Sequence, residues 1–216
     1  GVVFYGISAG AYYYMTHTLP ESGAHAKEAA VKAALVEKAV AKAKTAAKGK
    51  AFDEKAAIAA AEAAATPVPF PLSRALLEAV LADRTSDRFV CELIWPRLGY
   101  ELDGSGTWSA GPAAEASWRE SFPIEPQFIA QRPPSVALTR SIPKQHKQLL
   151  KEQLGFGGYR IGELYPRRTR RATAVNWLLA HLAERGEPLP ESGPLPELRE
   201  QPADPVAGHP GDLPIS

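Results

Sequence analysis

Apolar residues recur at helical spacing in the middle of the chain, and polar residues mark where helices begin. Ser73 precedes the segment RALLEAVLAD, in which Leu76, Leu77, Val80 and Leu81 share one helical face. A serine side chain at this position accepts a hydrogen bond from the first helical turn, so Ser73 is a predicted N-cap. The pattern therefore predicts a helix that starts after Ser73 and buries its leucine face.

The same signals predict three more helices up to residue 186. Ser86 is the predicted N-cap of DRFVCELIWPRLGY, and Thr169 is that of TRRATAVNWLLAHLAERG, which Gly186 ends. The segment SIPKQHKQLLKEQLGFGG is a predicted helix with Pro143 in its first turn and Gly155 after its last. We interpret the GFGG run as a helix stop, because it lacks the spacing of a phosphate-binding loop.

The connections contain shorter elements. LDGSGTW is a predicted turn flanked by short strands, and a short helix is predicted around Trp118. Residues 122–134 form a predicted extended, proline-rich passage, and YRIGEL is a predicted short strand. The predicted fold class is therefore mostly α, with a compact helical domain and short strands over residues 67–186.

The segments on either side of this domain have a different composition. Residues 24–65 contain 20 alanines and recurring lysines, which predicts a helical extension over residues 23–66. Its thin apolar stripe is typical of a solvated strut. Residues 187–216 contain eight prolines and six acidic residues against one basic residue, which predicts an extended tail. We expect both extensions to reach partner surfaces.

Residues 1–22 form an apolar N-terminal segment that contains the pattern G-x-S-x-G. This pattern occurs at the nucleophile of some hydrolases, where a strand precedes it and a βαβ rhythm surrounds it. VVFY is compatible with that strand, but no βαβ rhythm follows it, so we interpret Gly6, Ser8 and Gly10 as small residues that allow close helix packing. Two alternatives stay open: contact with a membrane or membrane complex, or burial in an ordinary core.

Charge is balanced overall but unevenly placed. The chain has 25 basic and 24 acidic residues, and Cys91 is its single cysteine, which excludes an intrachain disulfide. Between residues 132 and 171 there are ten basic residues and two acidic ones. Positive charge at a helix N-terminus opposes the helix dipole, so this region is a predicted anion- or partner-binding site. The alternative is a solvated basic face that is neutralised by Glu152, Glu163 or the acidic tail. The predicted binding residues are Arg167, Arg168, Arg170, Arg171, Lys144, Lys147 and Lys151.

The sequence predicts no catalytic residue, metal or cofactor. His146, His181 and His209 have no second ligand at metal-binding spacing. Asp83, Asp87 and Glu92 are explained by salt bridges to Arg84 or Arg88 rather than by acid–base chemistry.

Three blocks in the middle of the chain resemble a known family. They are VCELIWPRLGY, then WRESFP with PQFIAQRPPSVALTRSIP, then HKQLLKEQLGFGGYRIGELYPRRTRRATAVNWLLAHL. The resemblance covers about residues 87–182 and is to the domain-of-unknown-function family numbered eighteen twenty-three, from cyanobacteria and plastid-bearing eukaryotes. It implies a photosynthetic organism and, in a eukaryote, a chloroplast. It implies no reaction.

These observations lead to an expected function. We expect a non-enzymatic accessory or structural subunit of a large chloroplast complex, in the stroma or at the stromal face of the thylakoid. Its expected partners are protein subunits of that assembly, with membrane lipid or a pigment–protein complex at the N-terminal segment. The alternative is a plastid nucleic-acid-binding protein that uses the Arg167–Arg171 cluster.

Overall fold

A computed structural model describes residues 69–103 and 105–216. The predictions for the N-terminal segment, for Gly6, Ser8 and Gly10, and for the alanine-rich extension lie outside these residues. The chain divides into two compact units. The larger consists of residues 69–100 and 110–216, and it contains every α-helix of the described residues. Of the other unit, the described part is residues 101–103 and 105–109.

The described residues are mostly helical, as the sequence predicts. They form six α-helices, three short 3-10 helices and one two-stranded sheet. The α-helices are α1 (Arg74–Leu81), α2 (Asp87–Ile94), α3 (Ala116–Ser121), α4 (Arg132–Ser141), α5 (Leu149–Leu154) and α6 (Pro166–Glu184). The 3-10 helices are Trp95–Leu98, Lys144–His146 and Ile161–Glu163, and the strands are β1 (Tyr100–Leu102) and β2 (Trp108–Ala110).

Both predicted serine caps are confirmed. The Ser73 hydroxyl accepts a hydrogen bond from the backbone N–H of Leu76 at 3.2 Å, and Ser86 accepts one from Phe89 at 3.2 Å. These bonds satisfy N–H groups that have no partner within the helix. The predicted turn in LDGSGTW is also confirmed, because the Asp103 carboxylate accepts hydrogen bonds from the backbone N–H groups of Ser105 and Thr107.

The long helix α6 is the centre of the larger unit. It packs against α1, α2, α4 and α5, and its apolar face is almost completely buried. Leu178 and Leu179 on α6 and Leu76 and Leu77 on α1 have no solvent exposure. Burial of each such side chain contributes about 1.5–3 kcal/mol, so the core depends mainly on these helix contacts.

Several element boundaries differ from the sequence prediction. Residues 132–134 begin α4 instead of ending an extended passage, because prolines are tolerated in the first helical turn. YRIGEL contains a 3-10 turn and no strand. The helix predicted after Pro143 is interrupted between Lys144–His146 and α5, although Gly155 ends it as predicted with φ +64°. The last helix begins at Pro166, three residues before the predicted Thr169 cap.

The proline-rich tail is extended but lies along its own domain. The backbone N–H of Arg74 donates to the Pro190 carbonyl at 2.8 Å, so the tail covers the start of α1. Farther on, Arg199 N–H donates to the Arg84 carbonyl at 2.9 Å, and Ser216 N–H donates to the Ala130 carbonyl at 2.8 Å. The tail therefore belongs to the same compact unit as the helices. Over the described part of the chain, none of the helices has the length and apolarity that a membrane crossing requires.

Candidate interaction surface

The arginines at the start of α6 do not form one surface. Arg167 and Arg171 are four residues apart and therefore lie on the same helical face, which points inward. Their side chains are 1% exposed. Arg167 Nε lies 2.7 Å from Asp87 Oδ2, and Arg171 Nη1 lies 2.5 Å from Asp87 Oδ1. Asp83 accepts a further bond from Arg167.

The tail completes this buried ionic network. The Asp212 carboxylate accepts from Arg167 Nη2 at 3.0 Å and from the backbone N–H of Asp87, the first residue of α2, at 2.8 Å. His209 Nε2 donates to the Asp83 carbonyl at 2.9 Å. Gly208 has φ +80°, and a Cβ there would lie 2.6 Å from Arg167 Nε. Glycine is therefore required where the tail enters the network.

The network neutralises the two arginines from within the protein. Burial alone would lower the pKa of Arg167, but the hydrogen bonds and charges of Asp83 and Asp87 more than offset this and raise it. Arg171 also donates to the Val80 carbonyl and to the Thr85 carbonyl and hydroxyl. The prediction of a single four-arginine binding site is therefore corrected: Arg167 and Arg171 hold the domain together. The alternative of a solvated face is also wrong for these two residues, because they are buried and Asp212 is the tail residue among their carboxylate partners.

Arg168 and Arg170 have different environments. The Arg168 guanidinium lies 5.8 Å from the ring centre of Tyr159 and 5.7 Å from that of Tyr165, within cation–π range. Arg170 donates to the carbonyls of Ile129, Ala130 and Ser216. Arg170 thus joins the tail to the domain, whereas Arg168 lies at the base of a surface loop.

The predicted lysine stripe is exposed but does not follow one helix. Lys144 is in a 3-10 turn, Lys147 is that turn's C-terminal cap, and Lys151 is in α5. Lys147 Nζ donates to the Thr139 carbonyl at 3.1 Å. All three remain candidates for partner contact, although their regular helical spacing in the sequence is interrupted by the break before α5.

An apolar loop that contains the predicted YRIGEL strand is the most exposed apolar feature of the larger unit. This presenting loop, residues 155–165, carries Ile161 at 92% exposure and Leu164 at 54%. Ile161 begins the 3-10 helix Ile161–Glu163 and Leu164 is its C-terminal cap, so both exposed side chains belong to one turn of the loop. Below them, the rings of Phe156 and Tyr159 meet edge to face at 5.0 Å. The base of the loop is therefore packed, while its tip faces solvent.

Two clefts occur elsewhere on this unit. One, of about 360 Å³, lies beside Arg74, Glu152 and the tail around Pro188. The other, of about 330 Å³, is lined by Pro69, Pro96, Arg97, His181, Arg185 and Glu187. Sequence reasoning missed the second cleft, because its basic residues are far apart in the chain. Within residues 69–103 and 105–216, no cluster of three or more His, Cys, Asp or Glu side chains is arranged to hold a metal ion.

The fold and these surfaces define a small α-helical domain with a docked C-terminal tail and an apolar presenting loop. The chain belongs to the family described as Domain of unknown function (DUF1823), whose model matches residues 71–183. The resemblance noted over residues 87–182 is thereby confirmed, and α1 is added to it. The tail residues that enter the ionic network lie beyond this match.

One solved structure is similar to part of the chain. It is described as the solution NMR structure of a protein that is 46% identical, and the match covers 56% of this chain and 100% of that one, with a TM-score of 0.48. No curated protein matches the chain.

Proposed function

We propose that this protein is a non-enzymatic accessory subunit that binds partner proteins within a larger chloroplast assembly. The observation that carries the proposal is the presenting loop. Large apolar side chains at an exposed tip, held by a packed base, are typical of residues that anchor a protein interface. The stroma or the stromal face of the thylakoid is the proposed location, and it rests on the family resemblance.

The base of the loop supports this role because it limits the entropy lost on binding. Arg168 lies over the rings of both Tyr159 and Tyr165, and Tyr159 packs against Phe156. These contacts hold the segment on either side of Ile161. A loop that is already held in place loses less conformational entropy when a partner covers it, and this smaller entropic cost increases the affinity.

Charge around the loop suggests the chemistry of the partner. Arg160 precedes Ile161 and is exposed, and Arg168 adds positive charge at the loop base. Glu163 is the acidic residue at the tip. A partner surface with an apolar pocket bordered by carboxylates would complement this arrangement. The nucleic-acid alternative loses support, because Arg167 and Arg171 are already paired with carboxylates.

Co-purification after mild detergent solubilisation tests the proposal. The full chain carrying Ile161→Asp should lose its co-purifying protein subunits, because a charge at the anchor prevents burial of the tip. Ile124→Asp is the matched control, since Ile124 is 62% exposed elsewhere on the same unit. Retention of the same partners by Ile161→Asp, or equal loss in both variants, would contradict the proposal. Loss of the partners on nuclease treatment would favour the nucleic-acid alternative.

A further inference from the structure

The second cleft brings together three basic groups from distant parts of the chain. Arg97 comes from the 3-10 helix after α2, His181 from the last turn of α6, and Arg185 caps that helix. Glu187 is the acidic residue in the lining and pairs with Arg185 at 2.5 Å. Two guanidinium groups and an imidazole therefore share one cleft with a single carboxylate.

Arg97 is held in place without being neutralised. Its Nη1 donates to the Leu93 carbonyl and its Nη2 to the Phe70 carbonyl, both at 2.7 Å. Carbonyl groups fix the orientation of a guanidinium but leave its charge uncompensated. Burial lowers the pKa of Arg97 to about 10, with Arg185 adding to the lowering and Glu187 opposing it. A partly buried cation that lacks a salt bridge in the described residues is electrostatically favourable for an incoming anion.

His181 is also positioned by a contact with an uncharged ring. Its ring stacks on Trp177 with centres 5.4 Å apart, and Trp177 Nε1 donates to the Ser141 hydroxyl at 3.0 Å. Burial, and then the charges of Arg97 and Arg185, lower the pKa of His181, whereas Glu187 acts in the opposite direction. The negative end of the α6 dipole explains cations at His181 and Arg185, but Arg97 arrives from another element.

We propose that this cleft binds the oxyanion of a phosphate group. A phosphate oxygen can accept hydrogen bonds from guanidinium and imidazole donors at once, and arginine is well suited to this geometry. The cleft volume of about 330 Å³ exceeds that of the phosphate group itself, so a small phosphate monoester would fit. The site lies apart from the presenting loop in sequence and does not depend on the proposed protein-binding function.

An NMR titration of the His181 ring with inorganic phosphate, at ionic strength matched with sodium chloride, tests the site on the full chain. Phosphate should raise the pKa of His181, because the anion offsets the two arginines that lower it. Arg185→Gln should weaken phosphate binding by about tenfold, as expected for the loss of one charged hydrogen-bond donor. Glu187→Gln should tighten it, since the internal carboxylate no longer competes for Arg185.

Arg140→Gln is the matched control, because Arg140 is an exposed arginine on α4 that does not line the cleft. It should leave phosphate binding unchanged. Further arms use glycerol phosphate and vesicles containing phosphatidic acid. Tighter binding of the soluble monoester identifies a small phosphorylated compound, whereas Arg185-dependent binding to vesicles alone identifies a lipid headgroup. A His181 shift no larger than in chloride, or equal binding by the Arg185 and Arg140 variants, would overturn the proposal.

Discussion

The two ends of α6 carry positive charge in opposite circumstances. Near the N-terminal end, Arg167 and Arg171 are buried and paired with Asp83, Asp87 and Asp212. At the C-terminal end, His181 and Arg185 meet Arg97 in an open cleft with one carboxylate. The end that is densest in arginine along the sequence is thus the end that is neutralised. A cluster of arginines in the sequence therefore does not by itself locate an anion-binding site, because carboxylates from distant parts of the chain can neutralise it.

Removal of a buried arginine from the network should have the largest effect on stability. Arg171→Met should destabilise the domain by about 3–5 kcal/mol, since Asp87 and the Thr85 oxygens lose their buried partner. Arg168→Met, three residues earlier on the outer side of the helix, should cost about 1 kcal/mol or less. Chemical denaturation monitored by circular dichroism measures both. Equal losses would mean that Arg171 contributes no more to the free energy of unfolding than Arg168 does.

A second change tests whether the tail belongs to the inner network. Gly208→Ala should cost about 3 kcal/mol, because the new Cβ would meet Arg167 Nε and the residue has φ +80°. Gly211→Ala, at φ +91° with no neighbouring atom within 4 Å, should cost about 1–2 kcal/mol from backbone strain alone. Hydrogen exchange at the Asp87 and His209 amides, which both bind the Asp212 carboxylate, should accelerate more in the Gly208 variant. Identical exchange in the two variants would show that the tail docks independently of Arg167.

A smaller change removes one acceptor from the network. Thr85→Val keeps the side-chain shape but deletes the hydroxyl that accepts from Arg171 Nη2 at 2.9 Å. The expected loss in unfolding free energy is about 1 kcal/mol. Thr169→Val is the control, because its hydroxyl bonds to the Pro166 carbonyl at an exposed position, and it should change stability by about 0.5 kcal/mol or less. A larger effect at Thr169 would contradict the contrast between inner and outer faces.

The smallest predicted effect concerns pH at the other end of the helix. The pKa of His181 is lowered in the folded domain, so the folded state binds this proton less readily than the unfolded chain. The resulting stability is present above the ordinary histidine pKa of 6.5 and is lost as pH falls through the folded value. Melting temperatures measured between pH 7 and pH 5 should therefore fall less in His181→Gln than in the native protein. Parallel profiles would argue against a lowered pKa of His181 in the folded domain.

Local signals in the sequence were sufficient for much of the helical framework. Ser73 and Ser86 were identified as caps, Gly155 and Gly186 as helix ends, and Asp103 lies in a turn where one was predicted. Each of these depends on interactions between residues a few positions apart. Such interactions are readable because the residue types alone determine which backbone groups they can satisfy.

The elements that the sequence prediction placed wrongly are segments whose residues are compatible with more than one backbone conformation. Pro133 and Pro134 are compatible both with an extended chain and with the first turn of α4, and tertiary packing of Leu138 decides for the helix. The apolar alternation in YRIGEL resembles a strand, but no neighbouring strand pairs with it in the described residues. Its backbone instead forms a 3-10 turn.

The candidate sites were harder to anticipate than the fold. Arg167 and Arg168 have identical side chains, and only the helical phase relative to the core places Arg167 in the buried network and Arg168 at a half-buried position beside Tyr159 and Tyr165. Asp212 and Arg97 lie near residues of α6 in the fold but far from them in the sequence, and no sequence motif indicates these contacts. The basic cleft and the buried network both require the tertiary fold to be known.

The position of Asp212 has a consequence for how the protein is made. Its carboxylate binds the Asp87 amide across 125 residues, so the network stays incomplete until residue 212 has been synthesised. At about 5–20 residues per second, this corresponds to a delay of roughly 6–25 s after Asp87 is added to the nascent chain. During that interval the start of α2 lacks its anionic partner, and Arg167, which precedes Asp212 by 45 residues, lacks one of its own for roughly the last 2–9 s. Chaperones and proteases would meet a different species before and after the tail arrives, and late docking of the tail becomes a step at which the cell can distinguish chains that have reached Asp212 from chains that have not.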